Sequence, residues 1–435
     1  MKMKKENMNR RKALRNIGAS MAGLLTASQI PKVMANTDNN RVALEALPTF
    51  TGPGSKLGWN SMGPLVFYPQ KLPLIRLTDR PVQLETPRHY FRSAITPNNA
   101  FFVRYHMPSV PTEIDLNIWR LNIEGEVNNP AQLSLEELLN LPPNEVVAVN
   151  ECSGNSRSFF QPRVPGGQWG HGAMGCARWK GIRLMDLLER AGIKSTSKQI
   201  QFQGLDLGKG PKGYGSHAFM KSFSIDDPAL QNALIAYSMN SSPLPILNGF
   251  PVRMVFPGKF ATYWVKHVTW IRVLDHTDTD FWTAKAYKIP ATPQADTTPE
   301  AIAKHEVDMV SIGTTQLPVR SFIVSPDDQT QLLAGLTNEV CGIAFSGSGK
   351  GIASVEFSAD DGKTWKKAVL GEDLGPYAFR TWRFDWTPSE SGVYKLAVRA
   401  KDSDGSIQPD HTIWNPGGYV LNRIERQVVH VGKTA

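Results

Sequence analysis

Apolar positions along this chain fall mostly in short runs that alternate with polar residues and stop at Gly, Pro, Asn or Asp, the pattern of half-buried strands. Helical signals stand out at two places. Ser134-Leu135-Glu136-Glu137, followed by Leu138, Leu139 and Leu141, reads as a capping box opening a short helix: the Ser hydroxyl and the Glu carboxylate satisfy each other's free backbone N–H groups. Residues 184–191 read as a second helix, stopped by Gly192. Strands are predicted over residues 117–126, over the proline-bounded run 250–257 and over 271–274. Residues 91–295 are therefore expected to form a mixed α+β domain.

Beyond them the pattern changes. Residues 290–304, with Pro290, Pro293 and Pro299, read as a linker. Short alternating runs follow at 317–324, 339–345, 352–357, 365–370, 380–386, 393–400 and 426–431, separated by turn residues and without helical spacing. They predict an all-β, immunoglobulin-like sandwich over residues 300–435, a kind of domain that often serves docking. Trp382, Phe384 and Trp386 alternate and are expected in its core. Ser358-x-Asp360-x-Gly362-x-Thr364-Trp365 matches the Asp box hairpin of sialidase-like propellers, but a propeller would repeat it. It is read as turn chemistry, with Asp360 and Gly362 making the bend and Trp365 packing behind. Residues 36–90, rich in Pro and Gly, are expected to wrap the surface of the mixed domain.

A length of 435 residues suits two cores, and an apolar fraction of 41% is that of an ordinary globular protein. The formal charge of +9 is local, because residues 1–35 hold eight Lys or Arg against Glu6 and account for +7 of it. The remainder is close to neutral, which argues against a nucleic-acid partner. Residues 1–35 read as an export leader: the pair Arg10-Arg11, a weakly apolar stretch 16–31, and Val33-Met34-Ala35 as a small-residue cleavage site. The paired arginines resemble the twin-arginine signal that exports folded proteins to the periplasm, with an ordinary or membrane-retained signal as the alternative. No membrane span is expected once the leader is removed. Cys152, Cys176 and Cys341 do not make a disulfide scaffold. The chain has no C-x-x-C-H for a haem and no C-x-x-C pair for zinc or iron–sulfur.

Cys152 is the residue with most chemical promise. It follows the apolar run 146–149 and opens a polar turn, Ser153-Gly154-Asn155-Ser156, that ends at Arg157. A thiol at a strand end beside a fixed positive charge suits either thiolate chemistry or a soft metal. In Phe101-Phe102-Val103-Arg104-Tyr105-His106, strand spacing would point Arg104 and His106 the same way, toward an anion or toward solvent. Asn248 to Arg253 and Trp264-Val265-Lys266 place further cations near strand ends, suited to a phosphate or to an exposed two-stranded element. Asp206 and Tyr287 are unremarkable singly.

In this order, Phe102-Val103-Arg104-Tyr105-His106, Glu151-Cys152-Ser153-Gly154-Asn155-Ser156-Arg157, Gly175-Cys176-Ala177-Arg178-Trp179-Lys180-Gly181, Gly204-Leu205-Asp206, Ala236-Tyr237-Ser238-Met239-Asn240, Gly249-Phe250-Pro251-Val252-Arg253 and Val265-Lys266 resemble the sulfite oxidase family of molybdenum enzymes. The resemblance spans residues 90–435 and is greatest to bacterial periplasmic sulfite dehydrogenases. It implies molybdenum on a pyranopterin dithiolene, with Cys152 as the protein's thiolate ligand. By the same resemblance Arg104, Arg157 and Tyr287 line a catalytic anion pocket. Phe102, Arg104, His106, Asp206, Asn248, Arg253 and Lys266 hold the cofactor, and Trp264 and Val265 add backbone contacts. Sulfite is the implied substrate, a c-type cytochrome the electron acceptor, and a homodimer through the C-terminal domain the assembly. The chain departs from the animal members at Asn248, where they carry His, and near Asn415-Pro416-Gly417-Gly418, where their late pocket arginine has no equivalent. It also lacks their N-terminal haem domain, and Cys176 acquires no role. Two other readings stand beside this one: a sulfane dehydrogenase subunit of a thiosulfate-oxidising complex, and, more distantly, a sialidase-like or carbohydrate-binding β protein.

Overall fold

A computed structural model describes residues 65–66, 68, 70–210, 215–291, 298–327 and 330–433, all within the unit Lys56–Ala435. The export leader lies outside the described residues, as do residues 36–64.

Helix is scarce. The capping box forms as read: Ser134 and Glu137 cap each other around the helix Leu135–Leu139. Leu184–Ala191 ends at Gly192 in the left-handed region. A short helix that the linker reading missed, Pro299–Ala303, is capped by the Thr298 hydroxyl and starts with Pro, two signals present in the sequence. Most other elements are strands, so the expected α+β balance gives way to a predominantly β molecule.

Three sheets surround the site region. Leu74–Asp79, Val82–Glu85 and Val103–Arg104 pair antiparallel behind the two-residue strand Leu65–Val66. Residues 65–85 therefore build a sheet with the Arg104 strand rather than merely wrapping it. A second sheet is ordered Ser216–Ser224, Gln199–Lys209, Trp270–Leu274, Leu121–Gly125 and Ala131–Leu133, with one parallel pairing between Trp270–Leu274 and Leu121–Gly125. The predicted strand at 117 begins only at Leu121, because Asp115 takes the backbone N–H of Asn117 into a turn. The third sheet runs Ser242–Pro243, Leu234–Met239, Met174–Arg183 and Asn144–Glu151, with Arg253–Val255 also on Leu234–Met239. Only Arg253–Val255 of the expected strand 250–257 pairs.

The C-terminal region is two stacked sheets. One holds Arg320–Ser325, Asn338–Phe345, Arg380–Trp386 and Val369–Leu370; the other holds Leu332–Leu333, Glu425–Gly432, Gly392–Asp402, Ile352–Ser358 and Lys366–Lys367. The single run predicted at 365–370 thus breaks and crosses from one sheet to the other. Trp382 and Trp386 are buried between the sheets with Val355, Leu396 and Val398, and Phe384 packs at the margin. Ser358 and Asp360 accept the turn's N–H groups, and Asp360 also takes the Thr364 hydroxyl, as the turn reading of the Asp box requires.

The Arg320–Ser325 strand of the first sheet is covered on both faces. All six residues of Arg320–Ser325 are buried. Phe322, Phe345 and Phe379 face the N-terminal core, where Phe379 meets Phe91 edge-on at 5.8 Å. The backbone N–H of Phe379 donates to the Cys176 sulfur at 3.4 Å, a structural use for that thiol, which burial pushes up to about 12. Cys152, Cys176 and Cys341 are all free.

The strongest tie is an ion pair between Arg320 and Glu151, both almost fully buried. A second guanidinium nitrogen of Arg320 donates to the Ser156 hydroxyl at 2.9 Å. Removing one partner leaves a buried charge unpaired. Arg320→Met is expected to cost about 3–5 kcal/mol in urea unfolding, and Arg320→Met with Glu151→Leu to recover much of it. Equal stability of the single variant and the parent would show that the pair does not hold this turn.

Candidate active site

Cys152 sits one residue past the end of Asn144–Glu151, and its N–H still pairs across the sheet with the Ala173 carbonyl at 2.9 Å. The chain then turns tightly. Asn155 N–H donates to the Cys152 carbonyl at 2.8 Å, and Ser156 takes a left-handed conformation with φ of +69°. The Asn155 side chain locks the turn by donating to Glu151 at 2.9 Å and accepting from Ala173 N–H at 3.0 Å. Cys152 is therefore held by backbone pairing and by a buried carboxylate, and its side chain lines a cavity.

The structure brings ten of the predicted residues around that cavity: Phe102, Arg104, His106, Cys152, Asp206, Asn248, Arg253, Trp264, Val265 and Lys266. Sequence reasoning missed Asn150, Phe219, Leu247, Ala261 and Thr262, which also line it. Asn150 lay within the strand before Cys152, and alternation alone gave no reason to single it out. Thr262 is fixed by a 3.0 Å hydrogen bond with the Ser153 hydroxyl.

The cavity wall carries an excess of positive charge. Arg253 donates to the carbonyls of Asn248 (3.0 Å) and Trp264 (3.2 Å) and lies 5.0 Å over the Trp179 ring. Burial pushes Arg253 down to about 9. Lys266 donates to the Arg104 carbonyl at 2.6 Å; burial first, then Arg253, brings it down to about 7, with Asp206 opposing. Burial raises Asp206, and Lys266 opposes that rise. His106 is driven well below the ordinary imidazole value by burial, then by Arg104, Lys266 and Lys221, so it stays neutral at working pH. It stacks on Phe219 at 3.6 Å between ring centres and shares a short hydrogen bond with the Tyr287 hydroxyl.

Arg157 and Tyr287 are not among the residues lining this cavity, and Tyr287 is linked to it through its hydrogen bond with His106. Arg157 is clamped by two carbonyls, Nε to Gly417 at 2.9 Å and Nη1 to Gly167 at 3.0 Å. Its guanidinium lies 5.3 Å from the Tyr419 ring, which stacks on Tyr287 at 5.1 Å. Burial raises both phenols, while Arg104 and Arg157 act to lower them. Gly418 permits the approach: its φ is +58°, and a Cβ there would come within 2.5 Å of Val164 and 2.7 Å of the Arg157 side chain. Val420 N–H donates to the Ser153 carbonyl at 2.9 Å, tying this C-terminal segment to the cysteine turn. Tyr419 is the residue missed here. Its signal lay next to the glycine pair already noted as a departure.

These residues fit an anionic metal cofactor. Among the described residues no three His, Cys, Asp or Glu side chains converge, so a metal on Cys152 must bring its other ligands with it. Arg104 Nη1, Arg253 Nε and Asn150 Nδ2 are buried donors without an acceptor, as a polar, negatively charged ligand would require.

The chain matches the oxidoreductase molybdopterin binding domain over residues 106–282 and the Mo-co oxidoreductase dimerisation domain over 312–432. It is 34% identical to mitochondrial sulfite oxidase of Rattus norvegicus over 378 residues, 83% of this chain and 66% of the rat protein, so it spans just under two thirds of that relative. It is 32% identical to sulfite oxidase of Gallus gallus, over 82% of this chain and 78% of the relative. The fold is shared with the sulfane dehydrogenase SoxCD from Paracoccus pantotrophus, with a TM-score of 0.69, 23% identity, and coverage of 89% of this chain and 96% of that one. The domain matches and these relatives identify the cofactor as molybdenum on a molybdopterin. With the thiol, the unpaired donors and both domain matches in agreement, this chain belongs to the sulfite oxidase family of molybdopterin oxidoreductases.

Proposed function

We propose that this chain oxidises sulfite to sulfate, taking the added oxygen from water and releasing two protons and two electrons. The electrons leave singly to a c-type cytochrome. The observation that carries the reading is the pairing of one buried cysteine with a cavity wall of Arg104, Arg253 and Lys266 that leaves buried donors unmatched. When bound, the cofactor supplies oxygen-atom transfer and a two-electron store. Cys152 is its protein ligand; His106, Asp206, Asn248, Arg253 and Lys266 hold its pterin and phosphate, with Phe102, Trp264 and Val265 shaping the walls. Arg104 and Arg157 draw in the oxyanion and orient it. Tyr287, kept protonated by burial, donates a hydrogen bond at the reacting end and relays protons through His106. The twin-arginine leader places the enzyme in the periplasm, folded around its cofactor before export. The C-terminal domain, immunoglobulin-like in its two-sheet build, joins two copies.

One observation favours a second reading. Tyr419 offers a phenol beside Arg157 in the segment where animal members place an arginine, which suits a less charged sulfur presented by a partner protein, as a sulfane dehydrogenase would require. The deciding experiment uses isolated protein of measured molybdenum content with sulfite and oxidised cytochrome c. Turnover of free sulfite supports the first reading, and turnover only with a sulfur-carrying protein supports the second.

Cys152→Ser is expected to reduce sulfite oxidation to background and to lower bound molybdenum, with circular dichroism of the β-rich fold unchanged. Full activity in this variant would remove the thiolate from the site. Arg157→Met is expected to raise KM for sulfite about tenfold to a hundredfold, the value of a hydrogen bond to a charged group, with a smaller change in unfolding midpoint. Unaltered KM would place Arg157 outside the anion pocket.

The buried lysines set a pH signature. Lys71 and Lys266 are pushed down to about 7 by burial and Arg253. Between that value and their ordinary one the unfolded chain holds protons that the native cofactor-free protein has shed. Cofactor-free protein therefore gains stability as pH rises from about 7 to about 9. A bound anion restores the ammonium forms, so the loaded protein shows a flatter slope. Thermal unfolding of both forms across this range tests it; parallel slopes would contradict an anion beside these lysines.

A further inference from the structure

Lys71 lies just before the strand Leu74–Asp79, far in sequence from every motif of the site, and its side chain is buried. Its ammonium nitrogen faces three acceptors: the carbonyls of Asn98 at 2.8 Å and Phe101 at 3.0 Å, and Oδ1 of Asn248 at 2.5 Å. An ammonium has three protons and no lone pair, so the three contacts use it completely. Nothing remains for Lys71 to offer a ligand directly.

Its effect is on Asn248. Because lysine only donates, the amide atom facing it must be the oxygen, and the NH2 group must lie on the other side. Nδ2 donates one proton to the Phe102 carbonyl at 3.2 Å, which leaves a second. Asn248 is buried and lines the cavity, and its own carbonyl takes Arg253 Nη1 at 3.0 Å. Arg253 Nε, a few bonds away, is a buried donor without an acceptor. Without Lys71 only the Phe102 carbonyl holds the Asn248 amide in this orientation, and a flip would present oxygen to an anion, which repels it.

We infer that Lys71 is a positioning residue that fixes the Asn248 amide so that it donates, beside Arg253, to the phosphate end of the pterin cofactor. This rests on the proposed cofactor site. Lys71 also brings the N-terminal strand pair into cofactor binding, since its backbone N–H is held by Tyr68 and the next residue by Asn99.

The test is a double-variant cycle on purified loaded protein, following release of the pterin by its fluorescence after oxidation. Lys71→Met and Asn248→Ala are each expected to speed release about tenfold to a hundredfold, the range for one hydrogen bond to a charged group. The double variant is expected to release no faster than Asn248→Ala alone. If Lys71→Met speeds release by the same factor in the Asn248→Ala background, Lys71 acts on folding or on bulk charge and the inference is overturned. Should Lys71→Met fail to fold, Asn248→Asp decides: it keeps the shape and the Lys71 contact but has no donor to give. It is expected to release pterin faster than Asn248→Ala, and retention equal to the parent would overturn the inference. A parent protein without pterin would end the proposed function itself, whereas a loaded parent with unaffected variants would end only the role of Lys71.

Discussion

Arg104, Arg253 and Lys266 share one cavity wall with Asp206, and the Lys71 ammonium stands directly behind Asn248. A buried cation without an opposing charge costs on the order of several kcal/mol, and here cations outnumber the lining carboxylate. The protein offsets part of this with backbone dipoles: Trp264 and Asn248 carbonyls on Arg253, the Arg104 carbonyl on Lys266, Asn98 and Phe101 carbonyls on Lys71. Aromatic faces add to it, Trp179 under Arg253 and Tyr105 under Lys266. The compensation is incomplete because Arg104 Nη1 and Arg253 Nε keep no acceptor. A fold can hold such an imbalance only if its frame is rigid, and an anionic cofactor then gains what the wall itself does not supply.

That rigidity comes from both parts of the sequence. The strand Asn144–Glu151 delivers Cys152 from the sheet edge, pairing residue for residue with Met174–Arg183. The C-terminal region then grips the same strand and turn at three points. Tyr377 accepts from Val149 N–H, Val420 donates to Ser153, and Arg320 pairs with Glu151. A domain read from sequence as a docking module is thus also a wall of the active site. It explains why Arg320–Ser325 is buried on both faces, where an exposed sandwich edge would alternate.

Local chemistry was legible in the sequence, and distant pairing was not. Ser134 with Glu137, Gly192 after Ala191, and the Asp360 turn each depend on neighbours within a few residues, and each forms as read. The strand Arg380–Trp386 was bounded correctly because it packs on one face, with Trp382 and Trp386 buried and Arg383 and Asp385 exposed, as alternation implies. Alternation failed at 117–120, where Asp115 captures the backbone first, and at 365–370, where one apolar run is divided between two sheets. Cavity-lining residues were found where they fall in contiguous blocks. Lys71 was missed because its partner Asn248 is 177 positions away and neither residue is unusual alone. Tyr419 was missed because a search for a missing charge overlooked an aromatic beside it.

The Tyr419 position changes how the mouth of the site must work under the proposed reaction. Arg157 is fixed along its edge by two carbonyls and across its face by Tyr419, so its guanidinium plane has little freedom. Tyr287 and Tyr419 stack beside it as neutral groups, since burial keeps both phenols protonated. A mouth of one guanidinium and two phenols attracts an oxyanion by charge but holds a dianion less tightly than two guanidiniums would. Sulfate leaves as a dianion, and tight ground-state binding of product would slow turnover without aiding the chemical step. Replacing a charge by a phenol therefore favours release, while Arg104, which lines the same cavity as Cys152, retains the charge needed where the new bond forms.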